Sequence, residues 1–130
     1  MADDNRPIVH SQEDWSGNEG NERHTTRRIY GLLPIDRVRN MQGQMNEVPG
    51  EHRNMQGQDW EDFKGDIAEN GMKHRIYIRH LPGKPLRIWE GNHRRDAAVE
   101  LGMTHVPVEV QYQGHTEHQD RLFHDRRPDA

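Results

Sequence analysis

Between Leu86 and Leu101 the chain reads LRIWEGNHRRDAAVEL, and its periodicity changes across one glycine. Leu86 to Glu90 alternates as a short strand does, whereas Ala97, Ala98 and Leu101 fall on one face of a helix. A strand that passes into a helix through a single glycine limits the architecture, because the helix has to fold back over its own sheet. The glycine-to-helix turn also has a chemical consequence. The first amides of a helix lack internal partners, and together with the helix dipole they form an anion site. His93, Arg94 and Arg95 add charged donors at this terminus, and arginine grips phosphate oxygens in a bidentate way. Glu90, just before Gly91, is a candidate ligand for the metal ion that phosphate chemistry often uses. The plain alternative is a simple turn at Gly91, an ordinary N-cap at Asn92 and solvated basic side chains.

The flanking sequence supplies the remaining layers. Asp59–Asn70 (DWEDFKGDIAEN) places Trp60, Phe63 and Ile67 on one helical face. Asp59 is its expected N-cap, and Asn70-Gly71 its stop. Arg75–Leu81 alternates as a strand, and Pro82-Gly83-Lys84-Pro85 turns it into Leu86–Glu90, so a hairpin is expected. Arg28–Val38 reads as a first strand and Val106–Tyr112 as a last one. The order strand, long loop, helix, hairpin, helix, strand predicts a small α+β domain, a mixed sheet with packed helices.

Composition sets the limits of that domain. Only 30% of the 130 residues are hydrophobic and 31% are charged, too polar for the whole length to pack. The expected organisation is a disordered tail over residues 1–27, a folded domain over 28–112 and a polar tail over 113–130 with a short helix near Glu117–His124. There is no cysteine, which excludes disulfides, thiolate metal sites and thiol nucleophiles. Neither a membrane span nor a signal peptide is legible, so a cytoplasmic protein is the expectation. The net charge is −4, yet Lys73–Arg95 holds seven Lys/Arg and a single acid, Glu90. Such a stretch suits an anionic ligand, or else pairs with the acidic segment Asp59–Glu69. Within it, Lys73 and His80 are candidate pocket-lining residues.

Taken together, DIAENG (66–71), IYI (76–78), LRIWEGNHRRDAA (86–98), LG (101–102) and VPVEV (106–110) resemble the ParB/sulfiredoxin superfamily. The resemblance spans roughly residues 29–112. It implies nucleotide binding at the glycine-to-helix turn: CTP in ParB, ATP in sulfiredoxin, and ADP or ATP in the ParB-like free serine kinase. The matching residues are Gly91, Asn92, His93 and Arg94, with Arg95 beside them. The Gly-x-His-Arg form is similar to sulfiredoxin and the serine kinase. Sulfiredoxin has a cysteine where this chain has Asn92, so sulfinic acid reduction is ruled out. ParB proper continues into a helix-turn-helix, and only eighteen residues follow Tyr112, so a complete partition clamp is not expected. The serine kinase has a Glu beside a His in its first loop and an acid before its glycine. Glu51-His52 and Glu90 are the corresponding candidates, with Glu51 as catalytic base and Glu90 as catalytic acid or Mg²⁺ ligand.

Three functions stay open at this stage. One is a nucleotide-binding domain (ATP, ADP or CTP, with Mg²⁺) that hydrolyses or transfers a phosphate as an NTPase or kinase. The second is a DNA-binding or nuclease accessory protein of a phage or plasmid. The third is a nucleotide sensor without turnover. Homodimerisation is likewise open. One further feature concerns the loop: RNMQGQ occurs at Arg39–Gln44 and again at Arg53–Gln58. Two short copies are too few for a solenoid and read as a tandem duplication within one connection. On that reading, residues 39–52 are removable without loss of the fold.

Overall fold

The computed structural model describes residues 5–19, 22–44, 47–52, 55–81, 83–113 and 122–123. Strand β1 (Ile8–Glu19) and strand β2 (Glu22–Pro34) form a long hairpin. A 3-10 turn at Ile35–Arg37 leads into the connection that holds both RNMQGQ copies. Helix α1 (Gly57–Asn70), strand β3 (Ile76–His80), strand β4 (Arg87–Glu90), helix α2 (Asn92–Glu100) and strand β5 (His105–Gln113) follow. The sheet order is β1-β2-β5-β3-β4. Among the named strands only the β3–β5 pairing is parallel, so the sheet is mixed and the class is α+β, as the sequence predicts.

One face of the sheet makes the core. Alternate residues Ile29 and Leu33, Ile76 and Ile78, Ile88, and Val106, Val108 and Val110 are buried on it. Helix α2 covers this face through Ala98, while its neighbour Ala97 packs on Trp60 and Ile67 of α1. Two adjacent alanines thus let one helix touch both layers at short range. The apolar face expected for α1 is the one that packs, although the helix begins at Gly57 with Gln56 extended as N-cap. Asp59, expected as the cap, instead lies in the first turn, where its charge suits the dipole.

The expectation of a disordered segment over residues 1–27 is corrected by β1 and the first half of β2. Their register runs from Ile8↔Leu32 to Glu19↔Glu22. Ladder hydrogen bonds need no apolar side chains, so a polar hairpin can extend beyond the core that anchors it. That anchor is the pairing of β2 with β5 along Thr26–Pro34. His105 Nε2 also meets the Arg6 carbonyl at 2.9 Å, tying the start of the chain to β5. In the C-terminal segment only Leu122 and Phe123 are described, and both are buried. The rest of the helix expected at 117–124 lies outside the described residues.

Candidate functional site

Gly91 ends β4 and is the N-cap of α2 at φ 110°, ψ 21°, a left-handed conformation. A side chain there would meet the Ile76 Cα at 3.2 Å and Arg94 Nη1 at 3.0 Å, so both the conformation and the space favour glycine. No side chain caps this helix and no acid lies in its first turn. The strand-glycine-helix turn read from the sequence is therefore present, with its first-turn amides uncapped.

The charged side chains of this turn have structural partners. Arg94 donates from Nη1 to the Arg75 carbonyl at 2.8 Å, closing the start of β3 against α2. His93 lies against α1, its ring centroid 6.4 Å from Phe63 and 6.5 Å from Trp60. Arg95, a candidate phosphate ligand in the sequence, is fully buried at 0% exposure. Its Nε donates to Asp96 Oδ1 at 2.7 Å, and its Nη1 to the Val38 and Met41 carbonyls, both at 2.8 Å. Nη2 donates to Asn92 Oδ1 at 3.2 Å. Four of the five N–H groups of this guanidinium are thus committed within the protein. Arg95 is a fastener between α2 and the loop after β2, not a surface ligand.

The same fastening explains the loop. Asp96 Oδ1 accepts from the Gly50 amide at 3.0 Å, so two adjacent residues of α2 hold the connection at both ends. Between them, Gln42-Gly43 runs along β4: the Ile88 amide donates to the Gln42 carbonyl at 3.0 Å, and Gly43 bridges Ile88. A Cβ on Gly43 would come within 2.3 Å of Asn92 Nδ2. The first RNMQGQ copy is thereby built into the fold, which argues against the expectation that residues 39–52 are removable. The second copy differs, since its Gly57 opens α1.

The two candidate acids are not brought together. Glu90 is exposed at the end of β4, beside the turn. Glu51 is exposed in the loop that follows Gly50, alongside the second half of α2. From Asn92 to Glu100 that helix is about 12 Å long. Lys73 is exposed in the loop after α1. His80 ends β3 beside Tyr112, with ring centroids 6.0 Å apart, whereas Glu90 pairs with Tyr77 at the other end of that strand. Three residues of strand separate the two positions, about 10 Å.

Two arrangements escaped the sequence reading. The first surrounds Glu100, which accepts from Lys64 Nζ at 3.0 Å and faces His52 Nε2 at 3.7 Å and the Trp60 indole N–H at 3.5 Å. His52 stacks flat on Trp60, with centroids 3.8 Å apart and planes 7° apart. A cleft of about 360 Å³ opens beside this group, lined by Arg39, Asn40, Pro49, Gly50, Asp96, Val99 and Glu100. No sequence spacing signals this cluster, because His52, Trp60 and Glu100 come from three separate elements. The second is the stack of Arg79 on Trp89, which the alternation of RIYIRHL and LRIWE could have indicated. Among the described residues, no group of three or more His, Asp or Glu side chains is placed to hold a metal ion. No helix among them is long and apolar enough to cross a membrane.

No protein-family model matches the sequence, and no curated protein is significantly similar to it. Among solved structures, the chain is similar to sulfiredoxin from Arabidopsis thaliana, with TM-score 0.46 and 16% identity, covering 62% of this chain and 82% of that one. It is also similar to the C-terminally truncated chromosome-partitioning protein ParB from Caulobacter crescentus complexed with CTP-gamma-S. There the TM-score is 0.47 and the identity 23%, covering 69% of this chain and 47% of that one. The chain thus spans about half the length of that ParB structure, and both likenesses are of fold alone.

Proposed function

We propose that the protein binds a nucleotide through its phosphates at the turn from β4 into α2. The observation that carries this reading is Gly91: a left-handed N-cap with no capping side chain and no acid in the first turn of the helix. A phosphate seated there accepts from the amides of Asn92, His93 and Arg94 and meets the positive end of the dipole. Asn92 and Arg94 act by holding the turn in shape, through Arg95 and the Arg75 carbonyl respectively. Glu90 is the acid beside the turn, suited to sharing a Mg²⁺ ion with phosphate oxygens and water. Hydrolysis or transfer of the terminal phosphate is the catalytic extension of this reading, with charge stabilisation as the main requirement. Glu51, beside the far half of α2, has no part in it.

Thermal shift with ATP, ADP, CTP and GTP, each with and without Mg²⁺, is the test. A nucleotide at about 100 times its Kd adds roughly 2.7 kcal/mol to stability. That corresponds to a rise in Tm of about 10 °C for a domain near 100 residues. Gly91→Val should abolish the rise. If no nucleotide raises Tm, the phosphate site does not exist.

A further inference from the structure

Among the described residues, α2 packs on one face of the sheet with α1 against it, and the opposite face carries the alternate residues of each strand. The pairing registers align one row across it: Glu13, Arg28, Gln111, Arg79 and Arg87. Toward β2 this row is neutralised, since Arg28 Nε lies 3.2 Å from Glu109. Toward β4 it is not. Arg79 and Arg87 occupy directly opposed positions of the β3–β4 hairpin. Like charges at such positions repel. Among the described residues, neither lies within ion-pair distance of a carboxylate, whereas Arg28 and Lys64 do.

Aromatic rings accompany these two charges. The Arg79 guanidinium lies 4.1 Å from the Trp89 ring centroid and 5.4 Å from that of Tyr77, and its Nη2 donates to the Tyr77 hydroxyl at 3.1 Å. Tyr77 is itself hydrogen-bonded to Gln111, so this ring is fixed in place. Trp89 and Tyr77 are half-buried, and Arg87 and Lys84 of the hairpin turn are exposed. An arginine pair without a carboxylate partner among the described residues, beside two aromatic rings, suits a ligand that offers phosphates and flat faces in succession. Single-stranded nucleic acid does so. A duplex keeps its base faces stacked within itself, so it offers a sheet its backbone and groove edges but no flat face.

We propose that the β3–β4 end of the open sheet face binds single-stranded nucleic acid, with phosphates between Arg79 and Arg87 and bases stacked against Trp89 and Tyr77. The site lies on the strand pair and does not depend on the nucleotide reading of the α2 turn. Fluorescence anisotropy of a labelled mixed-sequence single strand of about 15 nucleotides, as DNA and as RNA, with the matching duplex, tests it on the full chain. Two phosphate contacts predict affinity falling about sevenfold between ~50 and ~200 mM salt. Loss of a stacked base in Trp89→Ala should weaken binding about tenfold or more. Arg87→Glu, at an exposed edge position opposite Arg79, should weaken it at least as much without lowering Tm. The proposal is overturned if neither single strand binds at ~50 mM salt, if Arg87→Glu binds as the parent does, or if the duplex binds as tightly as the single strand. Displacement of the strand by poly-glutamate as readily as by unlabelled strand would overturn it too, by removing any role for the bases.

Discussion

Replacing Arg95 with methionine separates a structural arginine from a ligand-binding one. Methionine retains most of the buried stem, so little cavity forms and the change is mainly electrostatic. The substitution leaves Asp96, 4% exposed, with the Gly50 amide as its remaining partner, and it strips donors from the Val38 and Met41 carbonyls. Breaking a buried ion pair by removing one partner costs about 3–5 kcal/mol. Natural domains have roughly 5–15 kcal/mol in total, so this is a large fraction. At about 4 °C per kcal/mol for a domain of this size, Tm should fall by ~12–20 °C. Urea unfolding followed by far-UV circular dichroism gives the free energy directly. The companion variant is Arg95→Met with Asp96→Asn, which removes the stranded charge. It should recover about 1–2 kcal/mol relative to Arg95→Met alone, a coupling that independent sites do not show. A cost below ~1 kcal/mol for Arg95→Met, with ligand binding lost, would refute the fastener and return Arg95 to the surface chemistry first assigned to it.

Other outcomes follow from the same geometry. Gly43→Ala forces Asn92 aside from a 2.3 Å contact and should lower stability by about 1–2 kcal/mol in urea titration, through the Asn92–Arg95 bond. Gly91→Ala, at φ 110°, should lower it by about 1–3 kcal/mol, measured the same way, and weaken any nucleotide response. The Lys64 ammonium, with the Trp60 N–H and His52, holds the Glu100 carboxyl below its ordinary 4.5, against the opposing effect of partial burial. A depressed carboxyl contributes stability above its unfolded value and loses it as pH falls through the folded one. Glu100→Gln should therefore be less stable than the parent at neutral pH and level with it in acid, a difference that thermal melts across pH 7 to about 2 will show. Deleting residues 39–52 removes the Met41 carbonyl, the Gly43 bridge and the Gly50 anchor together, and should abolish cooperative unfolding.

Local pattern and long-range pairing divided what was legible in the sequence. Ile88 before Gly91 and Ala97-Ala98 after it announce a strand, a turn and a buried helix, because each side chain's position follows from its own period. The same holds for Trp60 and Ile67 on α1 and for Val106, Val108 and Val110 on β5. The β1–β2 extension was not legible. Its stability comes from a ladder between residues such as Gln12 and Ile29, and composition carries no trace of that partnership. The site shows the same division. Gly91 was readable because one residue type answers one backbone need. Arg95 was misread because two of its four acceptors, the Val38 and Met41 carbonyls, lie more than fifty positions upstream and belong to the backbone, which has no sequence signature.

The bonds of Arg95 and Asp96 bear on how the fold tolerates so long a loop. A longer flexible connection costs little in closure entropy, about 0.6 kcal/mol for each doubling. Length alone, however, leaves an inserted segment without defined contacts. Here Arg95 holds the residues at the start of the first RNMQGQ copy, and its sequence neighbour Asp96 holds Gly50 further along the loop. His52 then stacks on Trp60 at φ 36°, left-handed for a non-glycine residue, and delivers the chain to the second copy and α1. The adjacent arginine and aspartate make this long loop one wall of the cleft between it and α2.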